Sequence, residues 1–367
     1  MPDPDLIIAP RLVTVEFALE PAYNNITSLF ALALTGQYSG YGEWIVRTAA
    51  SLSQERAYMN RLLCDALDTL FVAYKTHKSW SSLPAYVDEL EQEDPYWLRD
   101  AMVENIFAYI RSAEPDLKLD AGRFLTDLDY YVDLFQHYIV PAHYEIDRAL
   151  FADAQALLND PPTMLDAYVS HLRTMWRDVL ASEWERNLPL IQESINAFEC
   201  LDYSNMTAYE AIRTVTGRDV RGAPGWERKL KGVEHIIFVP SAHAAPYMCK
   251  YNAGSAIRIV FGARVPEGVH GRSPALSRSE LLVRLNALSD ETRLRIIELL
   301  SQHGEMCAQD IIELLGLSQS SVSRHLNQLV ATGYITERRR EVAKCYTLNL
   351  DRFDSTLGAL GRFLRGR

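Results

Sequence analysis

The sequence predicts a mainly α protein in two parts: a large helical N-terminal domain with a small antiparallel β-sheet, and a C-terminal winged helix-turn-helix. Three observations predict it. From Pro21 to about Ile212, apolar residues recur at helical spacing, broken by turn formers at Gly40, Gly42, Pro84, Pro95, Pro115, Pro141, Pro161 and Pro162. Strand-like runs are few. Met306 to Gly333, MCAQDIIELLGLSQSSVSRHLNQLVATG, has the order of two amphipathic helices joined by a short Gly-containing turn.

In chain order, Arg11 to Leu19 (RLVTVEFAL) alternates as a strand does, with Leu12, Thr14 and Glu16 on one side and Val13, Val15 and Phe17 on the other. Pro21 suits the first turn of a helix running through Leu34. Further helices are expected near Gln54 to Lys75, Tyr96 to Ser112, Phe124 to Val140, His143 to Leu158 and Met164 to Phe198. Their apolar stripes include Leu62, Leu63, Leu67 and Phe71, and later Leu128, Val132 and Phe135. No repeat of solenoid period is evident. Thr214 to Lys231 is rich in Gly, Arg and Pro and reads as a loop. His235 to Pro240, Pro246 to Tyr251 and Ala256 to Ala263 read as strands, with Asn252, Ala253 and Gly254 as a hairpin turn. Joined to the first strand, they would make one antiparallel sheet that closes residues 1–264 as a unit. Residues 265–274 (VPEGVHGRSP) read as a linker, and 275–367 as the second domain.

In that second domain, Ile311, Ile312, Leu314 and Leu315 form an apolar helical segment that stops at Gly316, as expected of a left-handed cap. Ser318 is a good N-cap for the next helix, whose Val322, Leu326, Leu329 and Val330 face inward. The opposite face carries Ser320, Arg324 and Asn327, flanked by Gln319, Ser321 and Ser323. A short polar face of this kind fits the major groove of double-stranded DNA, where Arg reads guanine and Ser, Asn and Gln meet base edges or phosphates. A solvated helix face would look the same if it stood alone. Here a wing follows: Tyr334 to Glu337 and Cys345 to Leu348 read as strands around a charged tip of Arg338, Arg339, Arg340 and Lys344, suited to phosphate or minor-groove contact.

The charge balance agrees with this division. The chain has 367 residues and a formal net charge of −11. Ser273 to Arg367 hold 13 Lys and Arg against 11 Asp and Glu, net +2, which leaves 24 against 37, net −13, for the first 272 residues. The acidic part is therefore not expected to touch DNA. Five scattered cysteines, at 64, 200, 249, 307 and 345, read as reduced thiols of a cytoplasmic protein. The start MPDPDLIIAP lacks a basic n-region, and no apolar run reaches the roughly 18 residues that span a membrane.

Other chemistry is weakly signalled. There is no Walker loop, no GxGxxG after a strand, no HExxH and no GxSxG. His137, His143 and Glu145 are close in sequence, but a helix break divides them and no fourth metal ligand can be named. His243 and Cys249, and Asp127, Asp129 and Asp133, are read the same way, as ordinary core or surface residues. Tyr96, Trp97, Tyr109, Tyr130, Tyr131, Tyr138, Tyr144, Trp176 and Trp184 fit either an aromatic core or the lining of a pocket for a small hydrophobic effector.

LSDETRLRIIELL, LLGLSQSSVSRHLNQLVATGYI and RRREVAKCYTL together resemble the ArsR/SmtB family of winged-helix repressors, over about a quarter of the chain. The resemblance implies a homodimer in which a helix from Glu280 to Leu288 and the last helix, Leu350 to Leu364, pair with their mates. It also implies Gln319, Ser320, Ser323 and Arg324 as base or phosphate readers. The family's metal motif, Glu-Leu-Cys-Val-Cys-Asp-Leu, is matched by Glu305, Met306, Cys307, Ala308, Gln309, Asp310 and Ile311, with one cysteine missing. A lone thiolate does not chelate, and the final helix has no His for the family's other metal site, so metal-independent DNA binding with no cofactor is expected. The expected function is a sequence-specific transcriptional regulator that answers a non-metal effector or a partner through its N-terminal domain. The alternative is an N-terminal enzyme or protein-interaction domain fused to a DNA-binding module.

Overall fold

The computed structural model describes residues 12–67, 78–140, 144–223, 225–266, 278–340 and 343–365. The helix from Pro21 to Ala33 is the centre of the N-terminal domain, since nearly all its residues are buried, including Tyr23, Ile26 and Leu29. Its polar residues close on the backbone: Asn24 and Asn25 donate to the carbonyls of Leu19 and Pro21, each at 2.8 Å. Around it pack the helices Leu83–Leu90, Pro95–Ala113, Leu128–Leu134, Arg148–Asn159 and Pro161–Met175.

The expected helix over Met164 to Phe198 forms as Pro161–Met175, a π turn at Trp176–Leu180, and Ala181–Glu199. The expected Phe124 to Val140 helix is broken at Asp127, whose carboxylate caps the helix Leu128–Leu134 by accepting from the Tyr130 N–H at 3.1 Å. The Gln54 helix is α-helical to Arg61 and turns π at Leu62–Ala66; its remainder from 68 lies outside the described residues. Thr214 to Lys231 is not all loop. A capping box of Thr207 and Glu210 starts the helix Ala208–Thr216, Gly217 closes it at φ 69°, and a short helix follows at Trp226–Leu230.

The sheet is mixed, not antiparallel. Strands β1 (Thr14–Phe17), β2 (His235–Ser241), β3 (Cys249–Ala253) and β4 (Ala256–Gly262) lie in the order β1-β2-β4-β3, with β1–β2 and β2–β4 parallel and only β3–β4 antiparallel. The reason is burial on both faces: β2 and β4 are central and read as nearly continuous apolar runs, HIIFVPS and AIRIVFG, with only the buried Arg258 interrupting the second. Gly254, at φ 62°, and Ser255 form the tight turn between β3 and β4, since Ala253 already pairs with Ala256. The first strand does join the last strands of this domain. Arg258 on β4 also pairs with Glu20 at 2.8 Å in the interior, which ties the sheet to the start of the central helix.

The C-terminal domain has helices Arg278–Leu288, Glu291–His303, Ala308–Leu315, Gln319–Thr332 and Leu350–Leu364, and a sheet of β5 (Met306–Cys307), β6 (Ile335–Arg340) and β7 (Ala343–Leu348) in the order β5-β7-β6. Ile296, Leu300, Ile311, Val322, Leu326 and Leu329 fill its core. The expected linker lies outside the described residues from 267 on.

The cysteines need a correction. Cys307 and Cys345 are opposite one another in the β5–β7 ladder and form a disulfide, while Cys64, Cys200 and Cys249 are free. A separation of 38 residues gave no hint of this, because strand register and not sequence spacing brings the two sulfurs together.

Candidate nucleic-acid interface

The recognition helix, Gln319–Thr332, begins as its sequence requires: the Ser318 hydroxyl accepts from the Ser321 N–H at 3.3 Å. Gly316 and Gly333 end the two successive helices at φ 65° and 81°, angles that favour glycine. Val322, Leu326 and Leu329 are fully buried beneath, whereas Val330 is half-buried. On the outer side Gln319 and Arg324 are exposed, and Ser320, Ser321, Ser323 and Asn327 are half-buried around them. All six therefore lie along the accessible side of one helix.

The wing differs from expectation. Arg338, Arg339 and Arg340 are exposed on β6 and Lys344 on β7, so the four cations stand on the strands and not on the loop between them. The hydrogen-bonded ladder runs on to Arg340 and Ala343, and residues 341 and 342 are outside the described residues. Arg339 pairs across the ladder with Lys344 and shares its face, while Arg338 and Arg340 take the other. Lys344 is drawn toward Glu337 at 3.2 Å, which offsets part of its charge.

Residues 290–337 match the family described as "Bacterial regulatory protein, arsR family". The chain is 39% identical over 79 residues to the arsenical resistance operon repressor of Staphylococcus xylosus, covering 75% of that protein and 22% of this chain. It is 41% identical over 63 residues to the transcriptional repressor SdpR of Bacillus subtilis, covering 69% of that protein and 17% of this chain. The chain belongs to the ArsR family. It is a DNA-binding transcriptional regulator whose remaining, larger part lies outside these matches.

Within an ArsR domain, the start of the Ala308–Leu315 helix is where a metal site would be sought. Cys307 precedes that helix on β5, its N–H donates to the Asp310 carboxylate at 3.2 Å, and its sulfur is bonded to Cys345. Gln309 donates to Glu313 at 3.0 Å. Among the described residues no three His, Cys, Asp or Glu side chains gather as a metal site would need. His137 Nδ1 is 2.8 Å from the Asp133 carbonyl, and His143 is outside the described residues. His243 lies between Ser28 (2.9 Å) and Glu183 (3.0 Å) and stacks on Trp44. That chain resembles a hydrolytic triad by residue type, but the cavity beside it holds only about 10 Å³, room for one water.

Of the aromatic residues named from the sequence, Tyr131 and Tyr144 are buried, Tyr130, Tyr138, Trp176 and Trp184 are half-buried, and Tyr96, Trp97 and Tyr109 are exposed. Phe107, Phe124, Tyr131, Phe135 and Phe151 are in ring contact, and the hydroxyls of Tyr131 and Tyr168 donate to carbonyls of the π turn and its end, Ala66, Leu63 and Leu67. A large cavity lies elsewhere, between the two domains, with a volume of about 680 Å³. Tyr41, Met248, Arg218, Leu282, Thr332 and Arg352 are among its walls.

Sequence reasoning missed the residues that join the domains. Gln328, on the inner side of the recognition helix, is 1% exposed. Its side-chain oxygen accepts from the Ser39 hydroxyl at 2.5 Å and from Arg293 at 2.8 Å. The Tyr247 hydroxyl in turn donates to the Ser39 carbonyl at 2.6 Å. A Gln at an inward helical position was the one available signal, since a buried amide needs partners.

Proposed function

We propose that this ArsR-family protein is a cytoplasmic homodimeric repressor that binds a double-stranded DNA operator and is controlled through its N-terminal domain by a non-metal effector or a partner. Gln319, Ser320, Ser321, Ser323, Arg324 and Asn327 are the proposed base and phosphate readers, with Arg338, Arg339, Arg340 and Lys344 on neighbouring phosphates. The observation that carries control by the N-terminal domain is the hydrogen-bonded path Tyr247–Ser39–Gln328–Arg293, which engages the back of the recognition helix at Gln328. A shift of the Ser39 loop moves the helix that reads DNA, and a two-fold pair of such helices must lie about 34 Å apart to meet successive major grooves. The homodimer rests on Leu282, Leu357, Phe363 and Leu364, all more than half exposed on the two helices that pair in this family. The arsenical named for some relatives does not carry over, because Gln309 stands where a second cysteine would complete the thiolate pair.

The test is operator binding by the full chain and by Ser39→Ala at matched salt. Ser39→Ala leaves every proposed DNA reader in place, so random-DNA affinity should hold while operator affinity changes by roughly fivefold, the equivalent of one hydrogen bond. Operator affinity within twofold of the unaltered protein would remove the controlling role of this contact.

A further inference from the structure

The cavity between the domains has too many cations for its anions. Arg218, Arg264, Arg284 and Arg352 all line it, against a single inner carboxylate among the described residues, Glu280, which pairs with Arg264 (3.5 Å) and Arg284. The other acidic group of the lining, Glu43, is exposed and pairs with the equally exposed Arg47 at 3.4 Å. Arg218 has no ion pair or side-chain hydrogen bond among the described residues, although burial pulls its guanidinium down to about 10. Burial, with the Arg284 guanidinium beside it, lowers Arg352 to about 9. The Nε atoms of Arg264 and Arg284 are buried without a hydrogen-bond partner.

Arg264 and Arg352 converge. A Cβ on Gly217 would sit 2.5 Å from Arg264 Nη1 and 3.2 Å from Arg352 Nη1, so both guanidiniums crowd the residue beside Arg218. Arg264 and Arg284 are buried and share one carboxylate, while the half-buried Arg218 and Arg352 have no ion pair among the described residues, so a bound anion offsets the cost of holding these guanidiniums together. The excess is sharper for its setting, the junction with a body of net charge −13. Other walls are apolar: Tyr41, Val46, Leu190, Met248 and Leu282. At about 680 Å³ the cavity falls in the size range of sites for small organic molecules.

We infer that this cavity binds an amphipathic organic anion, its carboxylate or phosphate held by Arg352 beside Arg264 and its apolar body lying against Tyr41, Met248 and Leu190. The inference rests on control by the N-terminal domain and names the chemistry of the effector. It also gives a route to DNA: Arg352 Nε donates to the Thr332 carbonyl at 2.8 Å, at the end of the recognition helix, so an anion that draws on Arg352 acts directly on that helix.

The full chain is titrated calorimetrically with decanoate, decyl phosphate and 1-decanol at matched ionic strength, and its operator affinity is measured with each. At least one anion is expected to bind one per chain, ten times or more tighter than the alcohol, and the better of the two names the headgroup. Arg352→Met should cost that anion at least tenfold and leave the alcohol unchanged, and Arg352→Lys should retain most of the preference. The comparison on the unaltered protein stands whether or not the variants fold. Alcohol binding as tight as both anions, or Arg352→Met within twofold for the anion, overturns the site. Anion binding as described with operator affinity unchanged supports the site and overturns N-terminal control instead.

Discussion

Gly40→Ala puts the contact between the domains to a quantitative test. Gly40 has φ 89°, where an L side chain costs about 1 to 2 kcal/mol. The added Cβ would also meet the Gln328 side chain, at 2.7 Å from Nε2 and 3.1 Å from Cδ. Gln328 is flexible and can move, but only by giving up the Ser39 (2.5 Å) and Arg293 (2.8 Å) hydrogen bonds. The bond from Arg293 is charge-assisted and its loss costs about 1.5 to 3 kcal/mol, although Arg293 keeps its bonds to the Ala287 and Asn286 carbonyls. Together these give roughly 2 to 5 kcal/mol as a ceiling, because the loop can undock and relieve the clash. Gly36→Ala is the control, since a Cβ there meets nothing within 4 Å. The assay is urea unfolding of both variants, with hydrogen exchange of the Leu326 to Thr332 amides. Gly40→Ala should lose at least about 1.5 kcal/mol more than Gly36→Ala and speed exchange in that segment. Equal stability and equal exchange in the two variants would falsify the docking of the Ser39–Gly40 loop on the recognition helix.

Arg324→Ala should lower the ratio of operator to random-DNA affinity by about 1 to 3 kcal/mol, whereas Arg339→Ala should weaken all DNA alike and flatten the salt slope by about one unit; filter binding over a salt series separates them, and an unchanged ratio for Arg324→Ala would reassign the reading face. Leu357→Asp places a charge on an exposed apolar site, 61% exposed in the single chain, and should shift the sedimentation of the protein toward monomer; an unchanged dimer would exclude the last helix from the interface. Burial raises the Asp65 carboxyl to about 6 against the hydrogen bond from Tyr144, so its ionisation disfavours the fold, and this contribution should be lost from stability as pH rises from about 4 through 6. Asp65→Asn should be the more stable protein at pH 7 by about 2 to 3 kcal/mol and equal to the unaltered one near pH 3.5; a difference that does not change with pH would contradict the assignment.

The sequence by itself determined what depends on neighbours along the chain. Ser318, Gly316 and Gly333 mark helix ends because caps and left-handed angles are local matters. Val322, Leu326 and Leu329 at helical spacing told which side turns inward, and so left Gln319, Ser320, Arg324 and Asn327 outward. Where a local competitor was overlooked, as with Asp127 capping its own short helix, the boundary was misplaced.

Tertiary structure alone decided whatever joins distant residues. An apolar run such as HIIFVPS shows that a strand is buried, but whether its neighbour is parallel depends on connections the run does not encode, and the sheet proved mixed. Cys307 meets Cys345 through register, Gln328 meets Ser39 across 289 residues, and four arginines scattered from 218 to 352 converge on one cavity. Local propensity acts within a turn or two of chain, while ion pairs, disulfides and cavities form only where packing closes the distance. For this reason the DNA-reading helix was legible in the sequence, and the junction that holds its back was not.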